Sequence, residues 1–272
     1  MKTFPLFCFF QLACFSLVFL FPNARAQDAA PSAQELAARL SAGIQNGSSF
    51  VRLKMELRQP AGGAKTTLQL QMKARRTKGA TDILYQVLFP KERKGEGFLL
   101  QKSTGRAASG KVFVPPDSLV SISAAQMKDG VFGSDLSYED IIENFFTWEQ
   151  QALVGTETVD RIPCQILESK PGKNDRSSYA RVRSWIDPKK LVPMRVEKYS
   201  GSGDVLRRIT TTRVAKDDSD RPVPASLIVQ RAGQESVTEI EGSNSKNDVI
   251  YSDGDFTTEA LKQITPASSK PK

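Results

Sequence analysis

From Val51 the chain alternates without a break: Val51, Leu53, Met55 and Leu57 are apolar, and Arg52, Lys54, Glu56 and Arg58 are charged. A period of two places every apolar residue on one face of an extended strand, a pattern that no helix satisfies. After the turn sequence Gln59-Pro60-Ala61-Gly62-Gly63 the pattern returns, with Leu68, Leu70 and Met72 alternating with Gln69, Gln71 and Lys73. Together these segments predict a hairpin. Ile83, Tyr85, Val87 and Phe89 give a third strand ended by Pro90, and Phe98-Leu99-Leu100 gives a fourth. Phe113-Val114-Pro115-Pro116 reads as a short edge strand or an extended segment, because consecutive prolines cannot donate to a central ladder. Further strands are predicted over 148–154, 162–168, 179–187, 191–199, 205–213, 223–230 and 237–241, each bounded by Gly, Pro, Asp or Asn. With about eleven strands an open sheet has to curl, and short connections make sequence neighbours antiparallel. The expectation is a mainly β chain: an incomplete antiparallel β-barrel, a curled sheet with helices covering its concave apolar face. A closed barrel or a two-sheet sandwich also fits the alternation.

Two capping boxes mark the helices. Ser32-Ala33-Gln34-Glu35 precedes Leu36, Leu40 and Ile44 at helical spacing and predicts an amphipathic helix ending near Asn46-Gly47. The second lies in Gly133-Ser134-Asp135-Leu136-Ser137-Tyr138-Glu139-Asp140. There Ser137 is placed to accept from the Asp140 amide, and Asp140 to accept from the Ser137 amide, with Leu136 and Ile141 as a hydrophobic staple. The helix that follows presents Ile141, Ile142, Phe145 and Phe146. A short closing helix is expected over 255–263.

The first 26 residues have the form of an export signal: Lys2, a Phe- and Leu-rich stretch to Phe21, then Ala24-Arg25-Ala26 with cleavage before Gln27. Leu12-Ala13-Cys14 offers a rival, lipid-modified reading, which would place Gln11 where such a signal has an aliphatic residue. Residues 27–265 are expected to form one domain and 266–272 a disordered tail. Cys8 and Cys14 leave with the leader, so Cys164, which alternates with Ile162 and Ile166, has no intramolecular partner and reads as a buried apolar residue. The 38 Lys+Arg fall to 36 with the loss of Lys2 and Arg25, against 30 Asp+Glu, leaving a net charge of +6. Such an excess suits anionic surfaces, including lipid headgroups, and the exported setting argues against nucleic acid. No mature stretch approaches the ~20 apolar residues of a membrane span.

Histidine is absent from the chain. That removes the commonest general base and metal ligand, and with them any Ser-His-Asp or Cys-His nucleophile system. Asp135, Glu139, Asp140 and Glu143 invite a metal or acid–base reading, but acidic residues at a helix start are accounted for by the cap and the dipole. A non-enzymatic protein without metal or cofactor is expected.

The capped segment 133–140, then Trp185-Ile186-Asp187 running into Leu191-Val192-Pro193-Met194-Arg195-Val196-Glu197, resembles the outer-membrane lipoprotein-sorting protein family, as do Val249-Ile250 and Asp255-Phe256-Thr257 before the last helix. The resemblance spans about 51–261 and implies an open barrel with helical cover, enclosing an apolar cavity for the acyl chains of lipid or lipoprotein. It also implies a periplasmic carrier or chaperone serving transfer toward the outer membrane, with an inner-membrane lipid exporter as partner. On that basis Leu53, Met55, Leu70 and Met72 are candidate wall residues, and Tyr138, Ile141, Ile142, Phe145 and Phe146 candidate lid residues. The capped helix is expected to gate the cavity, since a permanently filled barrel would have nothing to carry; a fixed plug is the alternative. A non-catalytic accessory protein that docks on an envelope complex, its interior filled by its own side chains, is the alternative. A hydrolase of envelope material would need a nucleophile and a base that these residues do not supply.

Overall fold

A computed structural model describes residues 31–45, 47–60, 63–173 and 175–264. The expected leader with its cleavage after Ala26, the helix end at Asn46, the turn residues Ala61 and Gly62 and the 266–272 tail lie outside the described residues. Helix α1 (Ala33–Gln45) precedes β1 (Gly47–Arg58), β2 (Lys65–Arg76), β3 (Ala80–Phe89), β4 (Gly97–Ser103), β5 (Ser109–Val114) and β6 (Ser118–Ile122). A crossover then carries α2 (Tyr138–Ile142) before β7 (Gln150–Val159), β8 (Ile162–Lys170), β9 (Arg181–Asp187) and β10 (Val192–Tyr199). The chain continues through β11 (Val205–Lys216), β12 (Pro222–Arg231), β13 (Val237–Asn247) and α3 (Thr258–Lys262). No helix among the described residues is long and apolar enough to cross a membrane.

The thirteen strands of the described residues join one antiparallel sheet in the order β6-β5-β4-β3-β2-β1-β13-β12-β11-β10-β9-β8-β7. Among the described residues β6 and β7 each pair on one side only, so the sheet is the expected open barrel. Two sequence halves wind away from the centre, and β1 and β13 meet there with Met55 opposite Ile240. The count exceeds eleven chiefly because β6 carries no alternation: Ser118-Leu119-Val120-Ser121-Ile122 is an edge strand exposed along most of its length. Its partner β5 begins at Ser109, before the apolar pair Phe113-Val114.

The inner face holds the largest core cluster. Met55, Leu68, Leu70, Ile83, Phe98 and Leu100 are buried together, and Ile142 of α2 packs onto them. Burying each such side chain is worth about 1.5–3 kcal/mol. The outer face is not wholly solvated, contrary to the one-sided expectation. Leu84 and Leu99 point outward and are buried with Phe113 beneath Phe256 and Leu261 of the C-terminal segment. That closing segment is a 3₁₀ turn over Asp253–Phe256 followed by α3, with Thr257 capping α3 through the Ala260 amide. Gly97 on β4 allows α3 to sit close, since a Cβ there would lie 3.0 Å from Leu261 Cδ1 and 2.5 Å from the Tyr85 carbonyl oxygen. Gln86 Nε2 reaches the carbonyls of Leu261 and Gln263, both at 2.9 Å, tying the helix end to the sheet.

A second outer cluster joins Cys164, Trp185, Val192 and Met194. Arg195 stacks over Trp185 at 5.0 Å and donates to Glu157, which also accepts from the Trp185 indole at 2.7 Å. The burial expected for Cys164 is what the structure has, and desolvation pushes its thiol pKa up. β10 contains an extra residue at Met194, where its register with β9 shifts. Before it Val192 belongs to the outer cluster; after it Val196 and Lys198 turn inward.

Candidate functional site

Helix α1 closes part of the inner face. Its capping box forms as expected, the Ser32 amide donating to Glu35 at 2.7 Å and the Glu35 amide to Ser32 Oγ at 3.2 Å. Leu36 and Leu40 pack on Leu167 and Ile186 across the inner face. Beside Leu40 a cavity of about 730 Å³ opens between α1, the β9–β10 turn and the inner sheet. Its floor includes Val51 and Leu53 of β1, Met72 of β2, Leu227 of β12 and Ile240 of β13. Small ligands commonly occupy cavities of about 300–1,000 Å³ with walls of this character.

The hollow has a specific origin. Leu53 pairs with Gly242 across β1 and β13, so an inward-facing position carries no side chain. A Cβ there would lie 3.8 Å from Leu53 Cδ2 and 3.9 Å from Val51 Cγ1, contacts that leave room for more atoms. Ala225 of β12 lines the same wall. Cations gather at its margin: Arg39 on α1, Lys190 in the β9–β10 turn, and Lys216 and Arg221 about the β11–β12 turn. Lys216 pairs with Asp220 and Arg221 with Asp217, whereas Arg39 and Lys190 have no ion pair among the described residues.

The second capping box also forms. Ser137 N–H donates to Asp140 Oδ2 at 2.8 Å, and Asp140 N–H to Ser137 Oγ at 3.1 Å. Asp140 is the centre of a buried ionic knot. Lys198 Nζ lies 2.5 Å and Arg207 Nη1 2.9 Å from its carboxylate, and Tyr179 O–H donates to it at 2.8 Å. Side-chain exposures of 0%, 2% and 5% for Asp140, Lys198 and Arg207 exclude solvent screening. Burial alone pushes the Asp140 carboxyl up, but the two cations and the Ser137 amide outweigh it and hold it below the usual carboxylate range.

The other acidic residues are engaged as well. Asp135 accepts from the hydroxyls of Ser236 (2.7 Å) and Thr238 (2.8 Å), and Glu139 from Ser177 (2.6 Å) and the Ser178 amide (2.9 Å). Glu143 meets Lys102 at 2.5 Å; burial nevertheless raises its pKa. No group of three or more His, Cys, Asp or Glu that could hold a metal occurs among the described residues.

Of the nine candidate residues, Leu53 and Met72 line the cavity. Met55 and Leu70 sit in the adjoining core, where Tyr138, Ile141 and Ile142 pack against them; Tyr138 meets the Phe98 ring edge-on at 5.2 Å. Phe145 and Phe146 do not continue the helix. Glu143 ends α2 with extended backbone, and Asn144 caps a separate 3₁₀ turn by accepting from the Phe146 amide. Phe146 is buried under α1, not over the cavity. From the capped segment only Leu136 reaches the cavity wall, so the cover beside the hollow is α1 with the β9–β10 turn. The alternation reading missed Arg76, Gly242 and α1 as cavity elements. Its own logic contains the signal for two of them, since Arg76 shares the inward parity of Met72 and Ala74, and Gly242 that of Ile240.

A family model described as uncharacterized protein matches residues 79–263. No curated protein matches the chain. Among solved structures, a DUF1329 family protein from Desulfovibrio piger is similar at 25% identity and a TM-score of 0.77, covering 84% of this chain and 97% of that one. A putative outer membrane lipoprotein-sorting protein domain from Vibrio parahaemolyticus is similar at 21% identity and a TM-score of 0.75, covering 85% and 98%. A LolA superfamily protein from Nitrosomonas europaea is similar at 20% identity and a TM-score of 0.67, covering 85% and 100%.

Proposed function

Because the chain belongs to the uncharacterized-protein family whose model it matches over residues 79–263, and has the fold of the lipoprotein-sorting and LolA superfamily structures, we propose that it is a carrier for acyl chains. The observation that carries this reading is the apolar cavity under α1, bounded by Leu53, Met72, Leu227 and Ile240. Each CH₂ left in water costs about 0.8 kcal/mol, so a sixteen-carbon tail gains at most ~12 kcal/mol from complete burial before ordering costs. A carrier must also release its cargo. Met72 suits a wall that adapts to different chains, and the cations at the margin suit approach to an anionic membrane surface.

In this reading the role expected of the capped helix passes to another element: α2 is the plug and α1 the cover. The knot at Asp140 fastens α2 to β10 and β11, while α1 meets the cavity through Leu40 and Gly43. The proposed setting is the periplasm, with the 1–26 leader removed, an inner-membrane exporter as donor and the outer membrane as destination. The accessory-protein alternative requires a filled interior, and the 730 Å³ hollow speaks against it. The test is saturable binding of an apolar fluorescent probe to folded, lipid-free protein, with displacement by phospholipid. Extraction of the protein from its native envelope followed by mass spectrometry identifies the cargo. Failure of a correctly folded, delipidated protein to bind the probe defeats the proposal.

A further inference from the structure

Arg75 and Arg76 end β2 side by side and face opposite ways. Arg75 is satisfied on the outer face, where it donates to Asp82 at 2.9 and 3.1 Å and to Asp253 at 2.8 Å. Arg76 shares the inward parity of Met72 and lines the cavity together with Tyr85. Its side chain has no ion pair or hydrogen bond among the described residues. Burial pulls its pKa below the ordinary guanidinium value, and the tyrosine beside it is the one group that favours its charge. Tyr85 is itself pushed up to about 12 by burial, so it stays a neutral hydroxyl. A guanidinium keeps its proton in proteins, and this half-buried one faces the hollow with no anion beside it, where a charge short of water gains most from a partner. Its five N–H donors match a carboxylate or phosphate in planar, two-point fashion.

We propose that the cargo is an amphiphile with one anionic group at the head of its hydrocarbon chain, and that Arg76 receives that group inside the cavity. This rests on the reading of the cavity as an acyl-chain site and narrows its cargo. The tail lies against Leu53, Met72 and Leu227, and the head turns toward the end of β2. Arg39 and Lys190 draw the anion to the margin, and Arg76 completes its desolvation. A thioether-linked diacylglycerol on cysteine carries esters and amides but no ionised group where its tails join, so this site favours a free fatty acid or a phosphate-bearing lipid over a lipoprotein.

The test compares palmitate, monohexadecyl phosphate and hexadecanol as competitors of an apolar fluorescent probe, on delipidated wild type, Arg76→Met and Arg76→Lys, with thermal unfolding to confirm that each variant folds. A charged hydrogen bond of this kind changes affinity by roughly ten- to a hundredfold. Wild type is expected to hold one or both anions at least tenfold more tightly than hexadecanol. The stronger of the two identifies carboxylate or phosphate as the natural head. Arg76→Met brings the anions down to the affinity of hexadecanol, and Arg76→Lys restores part of the preference. Hexadecanol binding as well as both anions, or an anion preference that survives Arg76→Met, overturns the assignment while leaving the acyl-chain site standing. No binding of probe or competitor by folded protein removes both.

Discussion

Replacing Asp140 by alanine tests the role of α2 directly. Among the described residues, the substitution deletes the only carboxylate within 4.0 Å of either Lys198 or Arg207, whose side chains are 2% and 5% exposed. Breaking a buried ion pair from one side costs about 3–5 kcal/mol, because the surviving charges stay buried without compensation. The Ser137 amide also loses its acceptor, which adds about 1 kcal/mol for the lost cap. Together that is about 4–6 kcal/mol. At about 2–4 °C per kcal/mol for a domain of this size, the midpoint of thermal unfolding should fall by roughly 10–20 °C at pH 7. Since the folded pKa of Asp140 lies below its unfolded value, its contribution is complete above about pH 4 and fades as pH falls through the folded value. The gap between wild type and Asp140→Ala is therefore expected to stay constant from pH 7 to about pH 5 and to narrow in stronger acid. A triple variant with Asp140→Leu, Lys198→Met and Arg207→Met should recover most of the loss, because apolar groups of similar size replace such a knot at little cost. A loss below ~1 kcal/mol for Asp140→Ala at neutral pH would refute the view that this knot pins α2 to the sheet.

Two further outcomes follow from the packing. Gly242→Phe sets a ring into the hollow beside Leu53 from a backbone that accepts a side chain, so probe affinity should drop at least tenfold while urea unfolding shifts by less than about 1.5 kcal/mol; unchanged affinity would show that the probe binds elsewhere. Gly97→Ala drives a methyl against the Tyr85 carbonyl oxygen at 2.5 Å and against Leu261, and is expected to cost about 1–3 kcal/mol. Hydrogen exchange should then quicken first in α3, and equal protection of α3 in both proteins would contradict the close approach described for Gly97.

Much of the inner face was readable because period-two alternation states which side of a strand is apolar, and β1 and β2 keep it over most of their length. Both capping boxes were readable for a similar reason: each is a local hydrogen-bond exchange between residues three apart. What alternation concealed was burial on the outer face. Leu84 and Leu99 interrupt the pattern, and the run Phe98-Leu99-Leu100 is itself the mark of a strand covered on both sides. The extra residue at Met194 was invisible for another reason, since parity counted along β10 assigns Val192 and Lys198 to the same face. The helix following Ser137 looked longer than α2 because Ile141, Ile142, Phe145 and Phe146 have helical spacing, yet Asn144 diverts the backbone to cap a new turn. The cavity could not be read as a volume at all. A hollow is the absence of atoms between distant strands, and only the register that places Gly242 against Leu53 reveals it.

β1 and β13 stand together at the middle of the sheet, although about 180 residues separate Leu57 from its partner Thr238. The seam that joins them runs through the cavity floor. A growing polypeptide can therefore lay down either wing early, but until the last strand zips against the first, the berth for a guest has no bottom. Competence to bind arrives with the final stitch of assembly, and an unfinished copy has no place for a lipid tail to lodge.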